Sequence, residues 1–308
     1  MKIRLISYNI DGLPDKVDLN NLPWPMRPIA WLYRIFKGTT VVDVNDNGGR
    51  EEATKCIGKY LRETNADMIA LQEDFNYHDT LVSMLSGYCS HTHTGGFFLN
   101  HLFRDVKWWP LPRFKADGLS LFTRTGRIEV MEEEVVRWRK SCGYFGHGSD
   151  KLTMKGFRYY RLVIDASVEV EMYVVHMDAD FYNSERRPDI RGDIDARTSQ
   201  MEQLSDYIFE RDSSLPMIII GDTNCSHYYE WDAQIVGDFL DRLNSMKHLT
   251  AYEQKADNLH DVDRMFFVNN SRSRRTVSVS ACRFEDNWLT AGRHASDHSP
   301  LVVDVEVK

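Results

Sequence analysis

Apolar runs in this chain end, again and again, in an acid, an amide or an imidazole. Ile3-Arg4-Leu5-Ile6 leads into Tyr8-Asn9-Ile10, and Met68-Ile69-Ala70-Leu71 leads into Gln72-Glu73. Met172-Tyr173-Val174-Val175 ends in His176-Met177-Asp178, and Met217-Ile218-Ile219-Ile220 ends in Gly221-Asp222-Thr223-Asn224. Asp261-Val262-Asp263-Arg264 opens the run Met265-Phe266-Phe267, and Asp297-His298 opens Leu301-Val302-Val303. A fold compatible with all of these brings the strand ends to one place. The residue types gathered there suit one metal-assisted hydrolytic site.

The apolar and turn patterns predict strands over 2–9, 67–72, 118–124, 128–137, 157–165, 168–176, 216–221, 262–268, 275–282 and 300–307. Ala53, Cys56, Ile57, Tyr60 and Leu61 recur at helical spacing, which predicts a helix over about 49–64. Ile194, Met201, Leu204 and Ile208 do the same over about 191–211, and a third helix is expected over about 229–245. Segments 128–137 and 157–176 read as antiparallel neighbours. The mixture predicts two mixed sheets packed on each other with helices outside. No linker-like Pro/Gly/Ser run divides the chain, so 1–308 reads as one domain.

The net charge of −8 argues against a protein that grips long nucleic acid through a broad basic face. Bound divalent cations would reverse the field locally at an acidic site. Arg186-Arg187 and the cluster Arg272, Arg274 and Arg275 read as solvated faces. Five cysteines, odd in number and without a CxxC pair, favour neither a zinc knuckle nor a disulfide framework. The first residues read as a strand, not a leader, and no stretch is long and apolar enough to span a bilayer. The expectation is a cytoplasmic protein, or a secreted one if a leader has been removed. Segments 22–37 and 103–114 are aromatic, proline-broken and basic, and read as loop insertions. They either pack against the domain or meet a membrane interface through Trp24, Trp31, Phe36, Trp108 and Trp109.

Metal-assisted phosphoester hydrolysis needs hard oxygen ligands, a base for water and groups that neutralise the phosphoryl oxygens. Glu73 is a natural metal-facing carboxylate. Gly221 allows a sharp turn, after which Asp222 and Asn224, as alternate residues, point the same way. That suits a water-orienting carboxylate and a phosphate-binding amide. Asp263 is placed to orient an imidazole, and strand alternation disfavours its pairing with Arg264. His176 and His298 supply two imidazoles, one for a base and one for a phosphoryl oxygen or leaving group. Taken singly, each residue is as well explained as a turn Asn, a solvated strand-end Glu or a structural His. Taken together they are not.

In their order, the motifs YNI, LQE, HMDA, GDTN, DVDR and SDHSP resemble the endonuclease/exonuclease/phosphatase superfamily, with its deoxyribonuclease-I-like fold. The resemblance runs from Asn9 to Pro300. It implies a four-layer αββα sandwich and Mg²⁺-dependent cleavage of phosphoester bonds, with Mn²⁺ or another divalent cation as the alternative. It also implies that Asn9, Glu73 and Asp297 serve the metal, and that Asp222 and Asn224 position the water and the phosphate. His298, oriented by Asp263, becomes the base or the phosphate-polarising imidazole, with His176 as the second imidazole. Three segments resemble the neutral sphingomyelinase-like branch: 142–157, with Asp150 and Lys155; Asp117-Gly118-Leu119-Ser120-Leu121-Phe122-Thr123-Arg124; and His176-Met177-Asp178-Ala179 followed by Ala196-Arg197-Thr198-Ser199-Gln200-Met201. In that reading Asp150 and Lys155 meet the substrate; an exposed loop lysine is the alternative for Lys155. Asp178 departs from the branch's usual His-Leu-His/Asn-Ala pattern and is expected to place extra negative charge near the site. The function expected is a phosphodiesterase acting on a sphingomyelin-type phospholipid. The alternatives are a nuclease acting on DNA or RNA, an inositol-polyphosphate or other phosphomonoesterase, and a non-catalytic binding protein on the same fold.

Overall fold

The run Met217-Ile218-Ile219-Ile220 shows how sequence sets the layers. Its side chains alternate faces, as in any pleated strand. Ile218 and Ile220 enter one apolar core while Met217 and Ile219 enter another. A strand buried on both faces needs an unbroken apolar run, which this segment supplies.

The computed structural model describes residues 1–12, 16–18, 27–43, 49–75, 77–91, 117–142, 155–179, 191–256, 262–290 and 292–308. In chain order the elements are β1 (Lys2–Asn9), β2 (Lys16–Asp18), α1 (Arg27–Lys37), β3 (Val41–Asp43), α2 (Arg50–Thr64), β4 (Met68–Gln72), α3 (His78–Met84), β5 (Tyr88–His91) and β6 (Ser120–Arg124). There follow β7 (Ile128–Arg137), β8 (Gly156–Ile164), β9 (Val168–His176), α4 (Arg191–Arg211), β10 (Met217–Asp222), α5 (Glu230–Asn244), β11 (Leu249–Glu253) and β12 (Asp263–Asn270). The chain closes with β13 (Val277–Phe284), β14 (Trp288–Thr290), β15 (Arg293–His294) and β16 (Leu301–Val307).

Two six-stranded sheets form, in the orders β13-β16-β1-β4-β6-β5 and β11-β12-β10-β9-β8-β7. Leu5, Met68, Leu162, Val174, Ile220 and Val303 are among the residues filling the space between them. The outer face of the second sheet packs Phe157, Tyr173 and Phe266 against Met201 and Leu204 of α4 and Phe239 of α5. The outer face of the first packs Ile6, Ile69 and Leu71 against Ile57 and Leu61 of α2 and Leu81 of α3. Helix, sheet, sheet and helix make the expected four layers.

The ten expected strands and three expected helices all form, with ends shifted by a residue or two. One expectation is corrected. Residues 27–37, read as part of a proline-broken loop, form helix α1, carried between the paired strands β2 and β3. Pro28 falls in the first turn, where the missing N–H has no intrahelical partner to lose. The rest of 22–37, with Trp24, and all of 103–114, with Trp108 and Trp109, lie outside the described residues.

Candidate active site

Each sheet contains a central parallel pair, β1 with β4 and β9 with β10; the other ladders are antiparallel. The register sets Asn9 beside Gln72 and His176 beside Asp222, so the carboxyl ends of each pair are level. Antiparallel β12 begins with Asp263 beside Asp222. Antiparallel β16 begins with Leu301 beside Ser7, which sets Asp297 and His298 at the same end. Across the sandwich β1 touches β10, and β4 touches β9 and β10. Crevices outside the carboxyl ends of parallel strands are where open α/β sheets bind ligands.

There the expected residues meet. Asn9 Nδ2 donates to Glu73 Oε1 at 3.3 Å and to Asp222 Oδ2 at 3.0 Å, bridging acids from both sheets. Its Oδ1 accepts the Asp11 N–H at 3.1 Å, so the amide presents nitrogen, not oxygen, to the two acids. Asp222 Oδ1 accepts the Asn224 N–H at 2.8 Å. His298 Nδ1 lies 2.6 Å from Asp263 Oδ2, and its Nε2 lies 3.8 Å from Asp222 Oδ2. His176 Nε2 lies 3.5 Å from Asp222 Oδ2 and 3.8 Å from Glu73 Oε1. Both His176 ring nitrogens are buried and make no hydrogen bond among the described residues.

The electrostatics separate the two imidazoles. Burial, with Lys155 and His298 nearby, drives His176 well below the ordinary histidine range, so it is neutral. Burial alone would also lower His298, but Asp263, helped by Asp222 and Asp297, holds it well above that range. Burial pushes the Glu73 carboxyl up to about 7; Lys155 opposes this, and Asp297 and Asp11 add to it. The Glu73 side chain is 21 % exposed, and that opening to water moderates the rise.

Several local features hold this geometry. Asp11, Glu73 and Asn224 have φ of 46°, 58° and 50°, a left-handed conformation that ordinary side chains adopt at a cost. The strand alternation expected to aim Asp222 and Asn224 together stops at Asp222. Asn224 turns its Nδ2 to Met177 O at 3.0 Å. Gly221 does not make a turn; it lies within β10, where a Cβ would meet Val175 O at 2.1 Å. At Gly12 a Cβ would meet Glu73 O at 2.3 Å, so only glycine lets the ends of β1 and β4 approach. Lys155 is buried, not an exposed loop residue, and its Nζ donates to Met177 O at 3.0 Å, on the carbonyl that Asn224 also uses. Asp150 lies outside the described residues. Asp178 is a tie, not a charge facing the site: its carboxylate accepts the Cys142 N–H at 2.6 Å and Gln200 Nε2 at 2.8 Å. Asp297 is exposed and accepts Ser296 Oγ–H at 3.3 Å. Arg264 pairs with Glu253, leaving Asp263 to His298 as alternation requires.

Sequence reasoning passed over four supporting groups. Arg50 pairs with Asp11 at 2.7 Å, both buried. Ser296 Oγ donates to Asn9 O at 2.7 Å, and Trp138 Nε1 to His176 O at 2.7 Å. Arg158 binds Asp117 through two contacts of 2.8 Å, bracing the segment beside Glu73, where Asp74 N–H donates to Gly118 O. Only Arg50 left a signal: an arginine opening a helix is out of place against the helix dipole unless an acid claims it.

The donor set fits a hard divalent cation. Glu73 offers a carboxylate oxygen beside Asp222, with Asp11 and Asp297 adding negative charge that a cation would offset. Among the described residues no group of three or more His, Cys, Asp or Glu side chains is placed to hold a metal ion. Mg²⁺ does not need one, since one or two carboxylates plus water and phosphate commonly hold it.

No family model matches the chain. Its sequence is similar to the sphingomyelinases of Mycobacterium bovis and Mycobacterium tuberculosis, 24% identical over 314 aligned residues that cover 97% of this chain and 51% of theirs. The chain therefore spans about half the length of the curated relatives it matches. Its structure is similar to beta toxin from Staphylococcus aureus, with a TM-score of 0.62, 16% identity, and 98% of this chain and 99% of that chain covered. A mutant of that toxin with bound magnesium ions matches with a TM-score of 0.59 at 16% identity, covering 98% of this chain and 99% of the toxin. Humanized D. rerio TDP2 matches with a TM-score of 0.61 at 15% identity, covering 99% of each chain. The layers and these likenesses agree: the chain has the deoxyribonuclease-I-like fold of the endonuclease/exonuclease/phosphatase proteins, and its sequence is similar to the mycobacterial sphingomyelinases.

Proposed function

We propose that the chain is a metal-dependent phosphodiesterase that cleaves a phospholipid of the sphingomyelin type by in-line attack of water. The observation that carries this is the convergence of a buried neutral imidazole, a carboxylate-held imidazolium and two amide-bridged carboxylates at one sandwich end. Glu73 and Asp297 would hold Mg²⁺, or Mn²⁺ in its place, and the cation would neutralise charge on the phosphoryl oxygens, while Asn9, expected among the metal ligands, turns its amide nitrogen to Glu73 and Asp222 and serves to position those acids. Asp222, fixed by Asn9 and the Asn224 N–H, orients the attacking water. His298, kept protonated by Asp263, donates Nε2–H to a phosphoryl oxygen as charge builds there. His176 presents an uncharged ring to the same space. Lys155 and Asn224 stand side by side on Met177 O, and their remaining N–H donors would meet the phosphate.

Phospholipid is favoured over the other phosphoesters by the surface. On α1, Trp31, Leu32, Ile35 and Phe36 are 63%, 47%, 56% and 79% exposed, with Arg34 and Lys37 in the last turn. A helix with exposed aromatics on one face and cations beside them lies flat in a headgroup layer. Among the described residues no helix is long and apolar enough to cross a membrane, so peripheral contact is the mode proposed. A nuclease is the second reading, favoured by the likeness to TDP2, which has been solved with a single-strand DNA product. Against it, Arg272 is bound to Asp212 and the carbonyls of Asp212 and Ser213, not presented to a groove.

A substrate panel assayed with Mg²⁺, with Mn²⁺ and with chelator tests the proposal: sphingomyelin, lysophospholipids, inositol phosphates, abasic and intact DNA, and a chromogenic bis-ester. Metal-dependent release of a phosphorylated headgroup, lost in His298→Ala, is expected. Turnover that persists in chelator, or in His298→Ala, would refute it.

A further inference from the structure

The turn joining β10 to α5 carries three exposed aromatic rings that the chemistry above does not use. Tyr228, Tyr229 and Trp231 are 72%, 40% and 37% exposed. Tyr229 and Trp231 stack at 4.8 Å and 9°, and Tyr228 meets Tyr229 edge-on at 5.4 Å and 89°. Together they make a corner with ring faces turned in two directions.

The corner is rigid because its base is buried. Asp232 Oδ2 accepts the Ser226 N–H at 3.0 Å, and Asp232 Oδ1 accepts Arg197 Nη2 at 2.9 Å, with both side chains almost wholly shielded from water. Arg264 Nε donates to Cys225 O at 2.8 Å, and the Tyr228 N–H donates to Ser226 Oγ at 3.1 Å. Exposed rings on a pre-ordered backbone lose little freedom on meeting a ligand.

Position and charge say which ligand. Tyr228 is four residues beyond Asn224, so at most about 14 Å of chain separates it from the phosphate-facing amide. Glu230, also exposed, lies between Tyr229 and Trp231 in the chain, and the chain as a whole carries a charge of −8. An anionic lipid surface is repelled by such a corner, whereas a quaternary ammonium is drawn to both the ring faces and the carboxylate. A choline-lipid surface also offers phosphate to Arg34 and Lys37 of α1. We infer that the Tyr228–Trp231 turn is a second docking surface, and that its partner is a bilayer of choline headgroups, whose trimethylammonium groups it holds by cation–π contact. The inference rests on the phospholipid reading of the site, and its test does not use turnover.

The test is co-sedimentation of the full chain with phosphatidylcholine vesicles and with phosphatidylglycerol vesicles. The wild type is expected to partition at least about tenfold more strongly onto phosphatidylcholine. The pair Tyr228→Ala and Trp231→Ala should lower that partition by about tenfold, and Tyr228→Phe, which keeps the ring face, should not. Unchanged circular dichroism and thermal unfolding in the pair certify the fold; if the pair is unfolded, Tyr228→Ser alone replaces it. Equal or stronger binding to phosphatidylglycerol overturns the inference, as does undiminished phosphatidylcholine binding by the pair. Self-association of the wild type that the pair abolishes overturns it too, because the corner then belongs to a second copy. A chain that hydrolyses no phosphodiester yet sediments as expected refutes the proposed function and leaves this surface standing.

Discussion

Replacing Asp263 by Asn isolates one charge. The amide matches the carboxylate in size, so packing at the start of β12 is preserved while the negative charge facing His298 is removed. The contact is short, 2.6 Å, between a fully buried carboxylate and an imidazole only 17 % exposed, so water screens it little. A hydrogen bond to a charged group is worth about 1.5–3 kcal/mol, and about 1.4 kcal/mol is a factor of ten. Asp263→Asn is therefore expected to lower kcat/KM on the chromogenic bis-ester by about 10- to 100-fold, mostly in kcat, because the imidazolium matters most as charge develops on the phosphate. Imidazole ¹⁵N spectra should show the His298 ring losing its fixed protonated state. A variant whose kcat/KM stays within threefold of wild type, with the ring spectrum altered, would refute the role given to the pair.

Other perturbations test separate parts of the molecule. Arg158→Met leaves Asp117 charged in the interior and should cost about 3–5 kcal/mol in denaturant unfolding, whereas pairing it with Asp117→Leu should recover much of that loss; equal costs would deny the ion pair its bracing role. Trp31→Ser with Phe36→Ser should lower turnover on vesicles at least about tenfold relative to turnover on the bis-ester. Equal loss on both would assign these rings to packing. Burial pushes the Cys225 thiol up to about 12, so at pH 8 a maleimide should label exposed Cys89 and leave Cys225 untouched. Rapid labelling of Cys225 in the native state would contradict its burial.

Where two periods of the chain agree with burial, its fold is legible from the sequence alone. The all-apolar run Met217–Ile220 predicted a strand, which the fold buries on both faces, and the spacing of Ile194, Met201, Leu204 and Ile208 predicted α4 over the whole of 191–211. Helix α1 was hidden because Pro28 looks like a breaker unless its place in the first turn is known. Gly221 was read as a turn because sequence records that a residue lacks a Cβ, not which backbone needs the space.

The site divides along the same line. Sequence by itself determined which groups stand at strand ends: Asn9, Glu73, His176, Asp222, Asp263, Asp297 and His298. Chain order and apolar patterning suffice for that, since both are local properties. The tertiary structure decided what those groups do to one another. It set His298 against Asp263 and buried His176 with neither ring nitrogen bonded among the described residues, so two like residues are driven in opposite directions from the ordinary histidine range. It turned Asp178 away to brace Cys142 and Gln200, buried Lys155 beside Asn224, and pinned Asp11 with Arg50. Protonation and orientation depend on which charges lie within a few ångströms and how much water reaches them. Those distances join residues far apart in the chain, and no local pattern encodes them.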